Sequence, residues 1–279
     1  MTQGPEYVVA SREGLYIVTK THCRRVASGQ YFGVTVKDGA IYAFENAGNR
    51  AGEATPRGRI VRFSLRDGAI SDPEILVERL HYKCHQVDFF DGSFFVVDTE
   101  NQRILEFDSD WRGTTHQILP PIEAGGTADA HINSLLGLGD RVYVLFHNGP
   151  RERPSELLEY DRDFVERHRT TLGSTGCHDI VRLEDGRFLY CESTKGQITR
   201  DDGLSVKIDQ LYTRGLAVGE DEIAVGSSLY GKRLTRDFLP GFVTFLDRSY
   251  QRLARLYVPA APTQIRRLDG ADLSLSRPR

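Results

Sequence analysis

Short runs of β-forming residues alternate with turn residues along most of the chain. In residues 85–108, three such runs are separated by Asp91-Gly92 and by the polar cluster at residues 98–102. Runs of about four to six β-formers cut by Asp-Gly and Asn-rich turns are typical of a meandering antiparallel sheet. The pattern therefore predicts consecutive antiparallel strands in this stretch.

The same unit repeats along the chain. Its first strands begin near residues 32, 85, 131, 178 and 214, so the intervals are 53, 46, 47 and 36 residues. A four-stranded propeller blade uses about 40–50 residues, which these intervals bracket. The repeat therefore predicts an all-β chain built as a β-propeller.

The two termini supply a further unit. Residues 263–270 resemble another first strand and turn, and residues 7–18 read as strand, turn and strand. Pairing one terminus with the other would close the ring and remove two exposed sheet edges. We expect a single domain over residues 1–279 with six blades, and five or seven blades are the alternatives. The alternative fold is a β-sandwich with irregular strands. It conflicts with the recurrence of Asp-Gly at the same position within the repeated units.

Composition narrows the function classes. The formal charge of −3 gives no reason to expect a nucleic-acid partner. No apolar run approaches the roughly 18–20 residues of a membrane helix. Because no basic segment leads into an apolar one near residue 1, we expect no signal peptide. The four cysteines form no Cys-x-x-Cys pair, which favours reduced thiols in the cytoplasm.

A propeller brings two sets of residues to one mouth of its central channel. The innermost strand of each blade starts there, and the antiparallel second strand ends there. The strand starts are Phe32, His85, His131, His178 and Arg214, with Thr263 or Tyr7 from the closing blade. The second-strand ends are Glu45, Asp98, His147, Glu192 and Ser227. We expect the functional site at this mouth.

Three histidines give the sharpest chemical signal. His85, His131 and His178 are 46 and 47 residues apart, which suggests the same register in consecutive blades. Converging neutral imidazoles can hold Zn²⁺, Fe²⁺ or Cu²⁺ with coordination positions left for water and substrate. The sequence therefore predicts a divalent transition metal on these residues. Hydrogen-bonded histidines lining a wet channel, or a coincidence of the repeat, are the alternatives.

Other polar residues at the mouth are candidates for catalysis. Glu192 or Glu45 could take a proton from a metal-bound water, while Arg214 could clamp a carboxylate or phosphate. His147 could be a fourth ligand, an acid/base or a plain channel residue. The alternative for Glu45, Asp98 and Glu192 is turn hydrogen bonding or an ion pair, and for Arg214 an ion pair with Glu192.

Two cysteines precede channel histidines, and several cations lie in long loops. A thiolate nucleophile at Cys84 or Cys177 is conceivable, but strand alternation favours burial of both thiols against neighbouring blades. The cations in the long loops could attract an anionic substrate, or they could be ordinary solvated charges. They are Arg50, Arg57, Arg151, Arg153, Lys232, Arg233 and Arg236.

The second unit resembles an NHL-type repeat, with an aliphatic strand, Asp91-Gly92, a second strand ending at Asp98, and Asn101-x-Arg103-Ile104. The His-x-(Val/Ile) strand starts at His85 and His178 resemble the six-bladed lyase domain of peptide amidation, which implies zinc on channel histidines. His131 departs from that pattern because Asn133 follows two residues later. The wider group includes the SMP-30/gluconolactonase propellers, whose acidic and amide metal ligands compare loosely with Glu45, Asn133, Asn148 and Glu192.

These observations lead to a functional hypothesis. We expect a metal-dependent lyase or hydrolase acting on a small polar, anionic substrate, with no nucleic-acid or membrane partner. A redox enzyme using iron or copper on the same histidines is one alternative. A binding propeller for a small ligand or peptide, and a protein-interaction scaffold, are the non-enzymatic alternatives.

Overall fold

The computed structural model describes residues 4–47, 57–66, 69–120, 130–148, 153–229 and 238–277. Within these ranges the chain forms β-strands and one short 3-10 helix, Ser193–Lys195. No helix among the described residues is long and apolar enough to cross a membrane.

The strands group into antiparallel sheets, one for each blade. The chain begins with β1 (Tyr7–Ser11), β2 (Gly14–Val18) and β3 (Cys23–Ala27). Blade one contains β4 (Tyr31–Lys37), β5 (Ala40–Asn46), β6 (Gly58–Arg66), β7 (Ala69–Ile70) and β8 (Glu74–Leu80). Blade two contains β9 (Cys84–Phe90), β10 (Ser93–Asp98), β11 (Arg103–Phe107) and β12 (Gly113–Gln117). Blade three contains β13 (Ile132–Leu138), β14 (Arg141–Phe146), β15 (Glu156–Tyr160) and β16 (Glu166–Thr171). Blade four contains β17 (Cys177–Arg182), β18 (Phe188–Glu192), β19 (Gln197–Arg200) and β20 (Ser205–Lys207). Blade five contains β21 (Tyr212–Val218), β22 (Glu222–Ser228), β23 (Gly241–Asp247) and β24 (Arg252–Val258).

The sixth blade joins the two ends of the chain. Strand β25 (Pro262–Arg267) pairs antiparallel with β1, with Val9 opposite Ile265. The C-terminal part thus gives one strand and the N-terminal part gives three, in the order β25-β1-β2-β3. The predicted six-bladed propeller and its closure are confirmed.

Polar side chains join the innermost strands of neighbouring blades. The Gln86 side-chain amide donates to the Leu135 carbonyl at 2.7 Å and accepts from the Leu135 N–H at 2.8 Å, which links β9 to β13. Gln264 accepts from the Val34 N–H at 2.6 Å, which links β25 to β4. Gly33 is required at one close approach, because a Cβ there would lie 2.3 Å from the His85 carbonyl oxygen.

The apolar core lies between adjacent blades. Between blades two and three, for example, Phe90, Val97 and Ile104 pack in one cluster with Leu135 and Val144. Such interfaces fix the angle between blades, and so hold the polar inner strands at defined positions around the channel.

The segment at residues 272–277 crosses the end of the channel opposite the mouth. The Ser276 hydroxyl donates to Asp88 Oδ2 at 2.6 Å and accepts from the Gly137 N–H at 2.7 Å. Arg277 pairs with Leu138 in a parallel bridge, and the Leu273 N–H donates to the Val218 carbonyl at 2.8 Å. This segment therefore ties several blades together at that face.

Candidate functional site at the channel mouth

A small cavity lined by residues of the innermost strands opens at the mouth of the channel. Strand pairing gives each blade two equivalent residues near the start of its innermost strand. The first of these positions holds Phe32, His85, Asn133, His178, Arg214 and Thr263 in blades one to six, and all of them line the cavity. The second position adds Gln86, Ser134, Asp179 and Gln264. The predicted convergence of strand starts is confirmed for Phe32, His85, His178, Arg214 and Thr263.

The register expected for His131 is wrong. Ile132 pairs with Phe146 in blade three, as Cys84 pairs with Asp98 in blade two and Cys177 with Glu192 in blade four. Asn133 is therefore the equivalent of His85 and His178. His131 precedes β13 and has a left-handed backbone, with φ of 46°. Aligning the units on the aliphatic residues Val87, Leu135 and Ile180, rather than on histidine, would have found this.

His131 nevertheless joins a row of four imidazoles. Ring centroids are 5.3 Å apart for His85 and His131, 5.2 Å for His131 and His147, and 5.0 Å for His147 and His178. Phe32 lies 6.0 Å from His85 at one end of the row, and Tyr212 lies 5.8 Å from His178 at the other. The tertiary structure thus brings the predicted His147 into the histidine group.

His178 is the most buried member of the row, with 5 % of its surface exposed. Burial first, and then the positive charge of Arg214 and the neighbouring imidazoles, hold its pKa well below the ordinary value. His178 is therefore neutral at neutral pH. Its Nδ1 lies 2.8 Å from the Ser193 hydroxyl oxygen, so Nε2 is the nitrogen left for chemistry.

The cavity also contains buried charge. Arg214 is 9 % exposed. Burial raises the pKa of Asp179, against the Gly215 N–H and the charges of Arg266 and Arg214, which lower it. Asp179 accepts from the Gly215 N–H at 2.8 Å, which links blade four to blade five. Arg214 thus adds a guanidinium to the cavity that His85 and His178 line. Such a group matches a carboxylate or phosphate of a ligand.

The fit of a metal to the histidines is incomplete. Two imidazoles on one tetrahedral zinc ion have ring centroids about 5 Å apart when the Zn–N bonds are about 2.0–2.1 Å, which matches neighbouring pairs in the row. Hydrogen bonds at Nδ1 of His85 and His178 are also those of metal-binding histidines. However, no group of three or more His, Cys, Asp or Glu side chains within the described ranges is arranged to hold a metal ion. The metal on His85, His131 and His178 stays a prediction, and no step below depends on it.

The predicted carboxylates are held inside their blades. Glu45 Oε2 lies 2.6 Å from Arg59 Nε, and Asp98 Oδ2 lies 2.7 Å from Arg103 Nε. Glu192 is 1 % exposed, lies 2.6 Å from Lys195 Nζ and accepts from Gln197 at 2.7 Å. These contacts correspond to the ion-pair alternative. Catalytic roles for Glu45 and Glu192 stay predictions.

The thiols are free and mostly buried. Cys84 and Cys177 are fully buried in apolar clusters, as expected, and burial raises the pKa of both. Neither has the lowered pKa of a nucleophilic thiolate. Of the loop cations, Arg57 and Arg153 are described. The others, Arg50, Arg151, Lys232, Arg233 and Arg236, lie outside the described residues.

Sequence reasoning assigned no role to several residues at the mouth. Thr99 and Ser193 follow the second strands and contact Nδ1 of His85 and His178. The Tyr212 ring contacts the His178 ring at one end of the histidine row, and Asp179 lines the cavity together with Arg214. The signal for the two hydroxyls is a Ser or Thr 14 or 15 residues after a channel histidine, directly after a buried carboxylate.

Comparison with known proteins gives the fold but no family. No family model matches the chain, and no curated protein sequence matches it. A chain of a nidogen–laminin complex matches with a TM-score of 0.69 and 10% identity, over 96% of this chain and 99% of that one. Virginiamycin B lyase from Staphylococcus aureus matches with 0.51 and 15% identity, over 83% and 71%. The PQQ-bound aldose sugar dehydrogenase from Streptomyces coelicolor matches with 0.55 and 12% identity, over 81% and 86%.

These identities support the propeller architecture alone. They do not identify the propeller family to which the chain belongs, and the site pattern expected from peptide-amidation lyases is not shown. Several of these neighbours are named as enzymes, among them two lyases and the sugar dehydrogenase.

Proposed function

We propose that the protein is a lyase or hydrolase that uses a neutral histidine at the channel mouth to remove a proton during reaction of a small polar, anionic substrate. The carrying observation is His178, whose pKa is held well below its ordinary value and whose Nδ1 is engaged by Ser193. A general base must be unprotonated at the working pH, and its accepting nitrogen must be accessible to substrate. His178 meets the first requirement through burial and lines the mouth cavity.

Both reaction classes would begin with the same proton transfer. In a lyase, His178 Nε2 would take a proton from a carbon beside a carbonyl or carboxylate. The C–H electrons would then form a C=C bond, and the leaving group would depart with its bonding pair. In a hydrolase, His178 would take the proton from a water molecule that attacks a carbonyl carbon. The leaving group would then collect a proton from His178 or from His147, its neighbour in the row.

Arg214 would bind the anionic group of the substrate. Its guanidinium lines the same cavity as His85 and His178 and is largely desolvated. A buried guanidinium forms strong, bidentate hydrogen bonds to a carboxylate. This contact would hold the reacting carbon or carbonyl next to the imidazoles, which is how positioning accelerates a reaction.

The structural neighbours give limited support to this proposal. They include a virginiamycin B lyase and a streptogramin B lyase, so lyases are named among propellers that share this fold. The sugar dehydrogenase carries its own cofactor, PQQ, so the redox alternative has a precedent in the fold. Those activities belong to the neighbours.

The test uses the purified chain with small anionic lactones, esters and β-substituted carboxylates, followed by NMR. New alkene signals identify a lyase, and a hydroxy acid or alcohol identifies a hydrolase. We expect His178→Gln to lower kcat by about 10²–10⁴-fold, the usual contribution of a general base. His168→Gln, on the exposed strand β16, is the matched control and should keep full activity. Ligand binding without turnover, or equal turnover in His178→Gln, would overturn the proposal and favour a binding propeller.

A further inference from the structure

Two histidines at equivalent positions in blades two and four share one hydrogen-bond pattern. In each, Nδ1 contacts a backbone carbonyl two residues earlier and a hydroxyl that follows the second strand. The four other blades have different residues at the histidine position, namely Phe32, Asn133, Arg214 and Thr263. The shared pattern is therefore a property of these two histidines and not of the repeat.

The contacts of His85 determine which ring nitrogen carries its proton. Nδ1 lies 2.9 Å from the Lys83 carbonyl oxygen, which can only accept a hydrogen bond. Nδ1 also lies 2.8 Å from Thr99 Oγ1, whose own hydrogen is donated to the Ile132 carbonyl at 2.6 Å. Both neighbours must therefore accept from Nδ1–H. In neutral His85 the unprotonated nitrogen is Nε2.

His178 repeats this arrangement. Its Nδ1 lies 3.2 Å from the Gly176 carbonyl oxygen and 2.8 Å from Ser193 Oγ. The carbonyl again favours a proton on Nδ1, but at 3.2 Å it is the weaker partner, and the closer hydroxyl is the stronger one. Ser193 is fully buried and Thr99 is 1 % exposed, so water does not replace either hydroxyl easily.

We propose that Thr99 and Ser193 are positioning residues that hold His85 and His178 in the Nδ1–H tautomer, which leaves Nε2 of both rings as an acceptor at the mouth. Such a partner at the second nitrogen fixes both the tautomer and the ring orientation of a working histidine. For His178 this rests on the proposed function, because the same Nε2 would be the general base. The tautomer itself can be measured without any substrate.

A purely structural role is the competing explanation. Thr99 also links blade two to blade three through Ile132, so its loss could weaken the blade interface alone. A structural role predicts lower stability with unchanged tautomers. A positioning role predicts a changed tautomer in the histidine that loses its hydroxyl and no change in the other.

The experiment is ¹⁵N NMR of the imidazole nitrogens in the full chain, at a pH where both histidines are neutral. Variants are Thr99→Val, Ser193→Ala and the hydroxyl-retaining Thr99→Ser. The matched control is Ser228→Ala, which removes the equivalent hydroxyl of blade five, where the partner position holds Arg214. Histidine signals are assigned with His85→Gln and His178→Gln.

We expect pyrrole-like Nδ1 and pyridine-like Nε2 signals for both histidines in the parent protein. Thr99→Val should shift only His85 toward the Nε2–H tautomer, and Ser193→Ala should shift only His178. Thr99→Ser, which keeps a hydroxyl, should leave His85 in the Nδ1–H tautomer. With a substrate in hand, Ser193→Ala should lower kcat about tenfold or more with little change in KM, within the range reported for lost outer-shell partners of histidine. An Nε2–H tautomer in the parent protein, or tautomers unchanged in Thr99→Val and Ser193→Ala, would overturn the inference. Failure to find turnover would bear on the proposed function only.

Discussion

The ring of His147 lies 5.0 Å from the ring of His178, although the two residues belong to different blades. His147 directly follows β14, and His178 is the second residue of β17. With His131 and His85 they form one continuous row. Adjacent imidazoles at this spacing cannot all be protonated without strong repulsion, and the neighbours lower the pKa of His178 for this reason.

The buried His178 should make stability depend on pH. Its folded-state pKa is lowered, so below the unfolded value of about 6.5 the unfolded chain binds a proton that the folded chain does not. The free energy of unfolding should therefore fall as pH drops below about 6.5, by at most about 1.4 kcal/mol per pH unit for this one site. Urea unfolding at pH 5.5 and 7.5 measures the change. The pH dependence should be weaker in His178→Gln and unaltered in His168→Gln, and equal slopes in all three proteins would contradict the prediction.

The metal predicted from the sequence is tested by elemental analysis of the untagged protein. That prediction expects about one ion of zinc, iron or copper per chain, and its loss in His131→Ala. His168→Ala serves as the control because this exposed residue lies on the outer strand β16. A protein that stays free of metal after reconstitution with each ion would contradict the metal site. The general-base proposal would be unaffected, since it needs only the chain's own imidazoles.

The contact between Ser276 and Asp88 should matter for stability. Ser276→Ala would leave the buried Asp88 carboxylate and the Gly137 N–H each without one partner. Loss of a partner from a buried polar group costs about 1–3 kcal/mol. Urea denaturation should show a drop of that size, whereas Ser109→Ala, in an exposed turn, should show none. Equal midpoints for the two variants would mean that residues 272–277 do not brace the far end of the channel.

Substitution of Glu192 should separate a structural from a catalytic role. In Glu192→Gln the buried partner of Lys195 is uncharged, and the contacts to Gln197 and Thr199 are altered. Because the buried Glu192 carboxylate is held by exposed Lys195 and by Gln197 and Thr199, we expect the main effect on stability, with kcat reduced less than tenfold once the protein is folded. Unfolding midpoints and kcat are measured on the same samples. A fall in kcat by about 10² or more at unchanged stability would instead establish Glu192 as an acid or base.

Much of the fold is determined by local sequence. Asp-Gly turns such as Asp91-Gly92 and β-branched runs mark the hairpins, and their repeat spacing predicts the blades. The convergence of Phe32, His85, His178 and Arg214 also follows from strand direction alone. These inferences work because turn chemistry and antiparallel pairing depend on residues that are close in the chain.

The tertiary structure decided the chemistry of the site. Either His131 or Asn133 could occupy the position equivalent to His85 and His178. The choice depends on an irregularity in strand pairing between Ile132 and Ser134, which a count of residues does not reveal. The engagement of Glu192 by Lys195 and of His178 by Ser193 depends on side-chain directions at the ends of strands. The sequence by itself determined which strand ends reach the mouth, because the hairpins repeat along the chain. Only packing among the blades determined which of them contact one another, because a shift of one residue in register changes every side-chain neighbour.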